Sequence, residues 1–357
     1  MLLLALAVLT GVATLMLVPV ARQLGLVDHP GIRKVHDSTT ALAGGPAIFL
    51  TLVITLLWLM PADRFVLSLA LGCLAMVVTG MADDRYQLSV AIRFLVQLVA
   101  CYLMIRWGGV YLEDFGNLMW DGVFGLGLMA GPVTLFAAMG VINSFNMIDG
   151  MDGLAGSIFL VAAAGMAFFS GLAGQHDMLW LLLLSMASVA GFLVWNARFP
   201  WNKKARAFLG DAGSLLLGFI LAWSFIRLGS GEQRVFPPIT AVWLIALPLL
   251  DTSTLIWRRW RSGESAFAAD QHHLHHAFLR AGFSVRQTWL GITFLAAVLA
   301  GVGVLFEVFN FPEYIQFYMF MIFAFGYYSY IQHCWESQRF FGRDFVYHDF
   351  TIEEGVS

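Results

Sequence analysis

Charge is what this sequence has least of. Only 12% of its 357 residues are Asp, Glu, Lys or Arg, against roughly 25% in an ordinary soluble domain. With 59% of residues hydrophobic, the chain lacks the polar surface that a soluble protein of this size needs. Cysteine is scarce too. Cys73, Cys101 and Cys334 are far apart, which excludes a disulfide framework and the common zinc motifs. Cys73 and Cys101 fall inside apolar runs and read as small hydrophobes. Nor is there an excess of one sign: a formal net charge of −3, with no basic patch, offers nucleic acid no footprint. Internal repeats and low-complexity linkers are also missing. The chain reads as one integral domain over residues 1–331, followed by a tail at 332–357.

What the sequence does have is long apolar runs. A bilayer core of roughly 30 Å needs about 20 apolar residues per helix. Runs of that order occupy 2–21, 44–61, 65–81, 89–105, 121–142, 154–173, 177–195, 212–228, 237–257, 287–307 and 313–331. They predict an all-α polytopic membrane protein with about eleven transmembrane helices. The first run has no basic residue before it and is long for a signal peptide, so it reads as a span. Lys and Arg favour cytoplasmic loops. Of the 20 basic residues, only Arg64, Arg106, Arg227 and Arg234 fall on one side of this map, leaving sixteen on the other. The expectation is an N-terminus outside and a C-terminus in the cytoplasm.

The unusual polar residues all fall on the cytoplasmic side of that map. Asp83 and Asp84 follow the third run; adjacent carboxylates near a membrane call for a cation or an Arg. A solvated acid pair beside Arg85 is the plain alternative. Asn143, Asn146, Asp149 and Asp152 recur every third residue after the fifth run. On a helix that spacing keeps neighbours near one face, and Gly150 and Gly153 loosen the backbone before the sixth run. Carboxylate and amide oxygens suit Mg²⁺, or Mn²⁺ in its place, which keeps waters and shares its shell with substrate phosphates. Helix capping would explain one or two such residues but not four.

Phe208-Leu209-Gly210-Asp211-Ala212-Gly213-Ser214 stands at the entry to the eighth run. A helix N-terminus with flexible neighbours attracts phosphate, although no GK[ST] ending marks a P-loop. Asp270-Gln271-His272-His273-Leu274-His275-His276 is too tightly spaced for the common zinc motifs and better suited to donate hydrogen bonds to phosphate. Together these groups fit phosphoryl transfer at a membrane surface.

At this point the motifs resemble a family, the polyprenyl-phosphate N-acetylhexosamine-1-phosphate transferases, and within it the branch that uses UDP-GlcNAc and undecaprenyl phosphate. The resemblance runs from about Gly25 to Gln287. It rests on Gly25-Leu26-Val27-Asp28 with Pro30, Arg33-Lys34 with His36, Gly44-Gly45, Asp83-Asp84-Arg85 with Arg93 and Gln97, the runs 143–154 and 208–214, Pro248 with Asp251, and the histidine loop ending Arg280-Ala281-Gly282-Phe283.

The resemblance implies a Mg²⁺-dependent reaction in the bacterial inner membrane, with the site facing the cytoplasm and a homodimer possible. UDP-GlcNAc and undecaprenyl phosphate would give undecaprenyl-pyrophosphate-GlcNAc and UMP, the initiating step of O-antigen or related envelope glycan synthesis. It implies that Asp211, Asn146 and Asp84 hold the metal and that Asp83, Asp84, Asp149 and Asp211 are catalytic. Phe208 would stack on uracil and Asp152 would bind uridine. Asn143 also belongs to the substrate-binding set, and His273, His275 and His276 would contact the pyrophosphate.

The chain departs from the pattern at Ala41, Ser144, Ala266, Gln271 and His272; Gln271 removes a positive charge and His272 offers partial compensation. Two other readings stand beside this one. The same reaction could use another UDP-N-acetylhexosamine or UDP-MurNAc-pentapeptide, although Leu274 interrupts the three consecutive histidines of the pentapeptide branch. An ion-coupled transporter would place its ionisable groups near the bilayer midplane.

Overall fold

The computed structural model describes residues 1–28, 39–119, 122–263, 265 and 272–346. Pro30, Arg33, Lys34, His36, Ala266, Asp270 and Gln271 lie outside the described residues, as do the last eleven residues of the tail. The helices are α1 (Leu2–Gln23), α2 (Gly44–Leu59), α3 (Arg64–Tyr86), α4 (Val90–Arg106), α5 (Ala130–Ile148), α6 (Leu154–Leu172) and α7 (His176–Asn196). They continue with α8 (Gly210–Gly229), α9 (Pro238–Leu244), α10 (Ala246–Arg261), α11 (Leu274–Arg280), α12 (Val285–Val308) and α13 (Glu313–Ser337).

The protein is an all-α polytopic membrane protein in which the apolar runs become helix, the ninth as two pieces and the fifth only from Gly127 onward. Among the described residues, seven helical segments are long and apolar enough to cross a bilayer, and α9 with α10 would make an eighth across an 83° bend. The break has a local cause. Pro248 has no N–H to give, and its ring clashes with the carbonyl four residues back, which belongs to Leu244, the last residue of α9. Helices α2 and α4 are shorter, at 16 and 17 residues, and the unbroken 25-residue α13 carries several tyrosines. Phe136, Phe294, Ile322 and Phe325 are all more than two-thirds exposed, an outward apolar face that fits lipid rather than water.

The run at 212–228 is the axis of the bundle: 94% of the span formed by α8 is buried. Small residues make this possible, as at other close helix crossings in membranes. A Cβ on Gly45 of α2 would meet Gly213 N at 2.4 Å, one on Gly80 of α3 would meet Ala212 N at 2.2 Å, and one on Gly218 would meet Ile142 Cα of α5 at 2.8 Å. Three helices thus touch α8 backbone to backbone.

Two of the helices that overrun their apolar stretches carry polar motifs with them. The third run ends at 81, but α3 continues to Tyr86, and the fifth ends at 142, but α5 continues to Ile148. Asp83, Asp84, Asn143 and Asn146 therefore sit on rigid helix rather than loop. A small sheet closes the same end of the bundle. Strand β1 (Val27–Asp28) runs antiparallel to β2 (Thr40–Leu42), which runs parallel to β3 (Ala207–Phe208) with Leu42 opposite Phe208.

Residues 332–346 stay within the fold. α13 continues to Ser337, and a hairpin of β4 (Arg339–Phe340) and β5 (Arg343–Asp344) follows. Phe340 is buried against Phe278 of α11, with ring centroids 4.8 Å apart.

Candidate active site

An open cavity of about 1260 Å³ lies where the N-terminus of α8, the ends of α3 and α5, β3 and the histidine loop converge. Its floor is built from helix ends. Asp84, in the last turn of α3, accepts hydrogen bonds from the backbone N–H groups of Asp211 (3.0 Å) and Ala212 (3.4 Å). Asp84 thus caps α8 from a different helix and meets the positive end of its dipole. Gly210 makes the approach possible. It has φ +71°, and a Cβ there would stand 2.7 Å from Asp84 Oδ2.

Asp83, beside it on the cavity wall, pairs with Arg93 of α4 at 2.8 Å. Asn146 donates from Nδ2 to Asp211 Oδ1 at 2.7 Å and to Ser214 Oγ at 2.9 Å, binding α5 to the start of α8.

The three-residue rhythm of the Asn/Asp run splits at Ile148, where the helix stops. Asn143 is turned to α4: its Nδ2 donates to Gln97 Oε1 and to Met139 O, both at 2.7 Å. It acts there as a clamp between α4 and α5. Neither Asn143 nor Asn146 lines the cavity. Asp149 caps the C-terminus of α5. Burial, then the carboxylates of Asp211, Asp84 and Asp152, push its pKa well above the usual carboxylate range, because three like charges surround a group shielded from water. Asp152, one turn of loop later, is held by Arg198 at 2.6 Å.

Asp83, Asp84, Asp149, Asp152, Phe208, Asp211, His273, His275 and His276 all face the one cavity. Residues from four separate stretches of chain are thereby brought together. His275 is buried, and its Nδ1 has no hydrogen-bond partner. Burial, then His276 and His273, hold its pKa well below the usual imidazole value. It packs over Gly150 so closely that a Cβ there would meet its ring at 2.3 Å.

Several residues outside the sequence-based set shape the site. Asp251 of α10 is 2% exposed. It accepts from His273 Nδ1 at 2.7 Å, from the backbone N–H of Leu274 at 2.9 Å and from Tyr327 Oη at 3.3 Å. A carboxylate so placed fixes the imidazole's tautomer and orientation. Its partnership with Pro248 in the motif pattern was the only sequence signal for it. Asn196 accepts from Gly153 N at 2.7 Å and donates to Ala207 O at 3.0 Å. One side chain thus ties the loop carrying Asp152 to the strand carrying Phe208. Arg258 lies 2.7 Å from His272 Nδ1, so both join the basic wall of the cavity. No local sequence pattern announces Asn196 or Arg198, because their partners are distant in the chain or backbone groups.

Among the described residues, no group of three or more His, Cys, Asp or Glu side chains is arranged to enclose an ion. Asp84 and Asp211 offer two carboxylates on the cavity wall, and Asn146 behind them would add a neutral oxygen on turning its amide, whose nitrogen faces Asp211. That partial set fits Mg²⁺, which retains waters and fills its shell with substrate phosphates, and does not fit zinc.

A family model for glycosyl transferase family 4 matches residues 66–229, the stretch that carries both carboxylate motifs and α8. Across 329 residues the chain is 35% identical to the undecaprenyl-phosphate alpha-N-acetylglucosaminyl 1-phosphate transferase of Escherichia coli K12, covering 91% of this chain and 88% of that protein. The chain belongs to glycosyl transferase family 4. The proteins with the same designation from Yersinia pestis (36% over 327 residues, 91% and 89% covered) and Haemophilus influenzae (36% over 325 residues, 91% and 92% covered) extend the likeness. The resemblance to polyprenyl-phosphate N-acetylhexosamine-1-phosphate transferases, drawn from motifs alone, therefore holds over nearly the whole chain.

Proposed function

We propose that this chain transfers GlcNAc-1-phosphate from UDP-GlcNAc to undecaprenyl phosphate at the cytoplasmic face of the inner membrane, beginning the synthesis of an envelope glycan. The observation that carries the reading is the single cavity at one end of the bundle. It sets four carboxylates on helix ends opposite a wall of His and Arg. That is the charge pattern phosphoryl transfer requires. The family membership and the names of the relatives point the same way, and the acids gather at one end of the helices rather than midway, which counts against transport.

In this reading an oxygen of the lipid phosphate attacks the sugar-bearing phosphorus of UDP-GlcNAc. A new P–O bond forms, the bond to the bridging oxygen breaks, and UMP leaves with that electron pair. A phosphate monoester is mostly dianionic at neutral pH, so the attack needs no strong base. Asp83, already paired with Arg93, is accordingly given an orienting role. Bound Mg²⁺ would neutralise charge on the phosphate oxygens. Asp84 and Asp211 would hold it with Asn146, whose amide would turn its oxygen inward. Phe208 would stack on uracil, and Asp152, fixed by Arg198, would accept from the uridine. His273, His275 and His276 would donate to the pyrophosphate. Asn143 would act at a distance, by holding α5 against α4.

The test is UMP release by the purified full chain with undecaprenyl phosphate, Mg²⁺ and UDP-GlcNAc, with UDP-GalNAc and UDP-MurNAc-pentapeptide in parallel. Release with UDP-GlcNAc that stops on chelation supports the reading. Release with another donor alone would move the chain to a sister specificity, and no release with any donor would remove the transferase reading.

A further inference from the structure

The basic wall of the cavity is held from behind by a part of the chain that the sequence presents as a tail. Trp335, near the end of α13, stands between two residues that line the cavity. Its ring meets His272 edge-on at 4.5 Å between centroids, and Arg280 Cζ lies over it at 5.1 Å. The indole N–H has no hydrogen-bond partner, so the ring is held by its faces and edges.

Behind Trp335 the chain turns at Gln338, with φ 54°, into the β4–β5 hairpin. The hairpin closes on itself, with Phe345 N donating to Gln338 O, and is bonded to the histidine helix by Val346 N, which donates to Arg280 O, both at 2.7 Å. Phe340, 1% exposed, packs on Phe278 of α11 at 4.8 Å, and Phe345 packs on Trp335 at 5.1 Å. On the opposite flank, Arg343 Cζ sits 4.5 Å over the ring of Phe283.

We propose that Trp335 and the β4–β5 hairpin are positioning elements of the active site, which set His272 and Arg280 at the distance where they meet the pyrophosphate of the nucleotide sugar. Four features single out this element. It touches two cavity residues with one ring. It closes the C-terminal end of α11 by a backbone hydrogen bond. Its aromatic packing is buried, although it follows the last span. And α11, seven residues long, is too short to hold its own geometry in isolation. The proposal rests on the transferase reading for what His272 and Arg280 bind, but not for the brace itself.

Two measurements on the full chain separate these. In the first, steady-state UMP release is followed for wild type, Trp335→Ala, Phe340→Ala and Trp335→Phe. The cation–π contact with Arg280 and the ring's hold on His272 predict that Trp335→Ala raises the KM for UDP-GlcNAc about ten-fold while kcat stays within about two-fold. Phe340→Ala should follow in the same direction, and Trp335→Phe, which keeps an aromatic ring, should restore most of the loss.

In the second measurement, hydrogen exchange of the peptide spanning 272–283 should quicken in both Ala variants while exchange in α8 is unchanged. This needs no turnover. If wild type releases no UMP, the transferase reading fails and the exchange experiment still decides the brace. Wild-type KM and wild-type exchange in Trp335→Ala would overturn the proposal, as would a Trp335→Phe variant no better than Trp335→Ala.

Discussion

At one end of α8, Asp84, Asp149 and Asp211 crowd together, and among the described residues none of the three closes an ion pair with Lys or Arg. At the other end, about 30 Å away for a helix of this length, a smaller pocket of about 450 Å³ holds Arg234, Glu307, Glu313, Asn117 and Gln316. There one cation, Arg234, is shared among three acids, Asp114, Glu307 and Glu313. Arg234 reaches Asp114 at 3.0 Å and Glu313 at 3.2 Å, and Glu313 also accepts from the N–H of Asn117 at 2.5 Å. Glu307 and Gln316 share Thr240. The far end spends its charges on holding loops together. The near end keeps like charges close at a cost that burial increases. Such a cost is sustained where a ligand offsets it, and the contrast between the two ends is itself evidence for which one is the active site.

The largest expected effect is at Asp211. Asp211→Asn keeps the shape and the bond to Asn146 but removes one of the two carboxylates available to a cation. UMP release should fall by about 10³-fold, in the range found when one electrostatic stabiliser of a transition state is lost, with the helical circular dichroism unchanged. A similar loss in Arg234→Gln would erase the distinction between the two ends.

Asp251→Asn comes next. The histidine stays in place but loses the carboxylate that fixes its tautomer, and activity should drop roughly 10- to 100-fold, as when other carboxylates behind a histidine are removed. Tyr327→Phe, which deletes only the 3.3 Å bond to Asp251, should be milder. If Asp251→Asn leaves kcat and KM unchanged, His273 is oriented by something else.

Acid–base titration should report on the near end through Asp149. Burial and three neighbouring carboxylates raise the Asp149 pKa in the folded protein, so the folded state holds this proton more tightly than the unfolded chain does. Its stabilising contribution is complete below the usual carboxylate pKa of about 3.9 and is lost as pH rises through the folded value. Without divalent cation, thermal stability should therefore decline with rising pH across that window. Asp149→Asn should flatten the decline, and added Mg²⁺ should reverse it by binding only the folded state. A metal-free melting temperature that is flat with pH and identical in the variant would remove this account of Asp149.

Much of this end was legible because it depends on local pattern. Eleven apolar runs foretold eleven helical stretches, and four polar motifs foretold most of the residues that gather, Asn143 and Asn146 excepted. What stayed hidden depends on distance. The centrality of α8 comes from Gly45, Gly80 and Gly218 meeting other helices, and a glycine in one helix says nothing about what crosses it. Asn143 shares its spacing with Asn146 yet turns to Gln97, because the helix rotates it toward α4. The apolar run at 313–331 ended the expected domain there, but aromatic residues after it pack onto α11. The break before Pro248 was missed because the hydrophobic pattern runs on unchanged through Leu244 and Ile245.

The smallest effect sharpens the comparison from the far end. Arg234→Gln leaves Asp114 and Glu313 facing each other without their cation. The three side chains are between 20% and 28% exposed, so solvent screens much of the interaction, and the loss should be about 1 kcal/mol or less. It should appear as a melting temperature lower by a few degrees and should shrink in high salt, where exposed charges interact less. UMP release per folded molecule should stay at the wild-type level, because no group in that pocket is near the nucleotide cavity. A fall in kcat in folded Arg234→Gln would mean that the two ends communicate through α8, whose nearly complete burial makes it the rigid element able to carry such coupling.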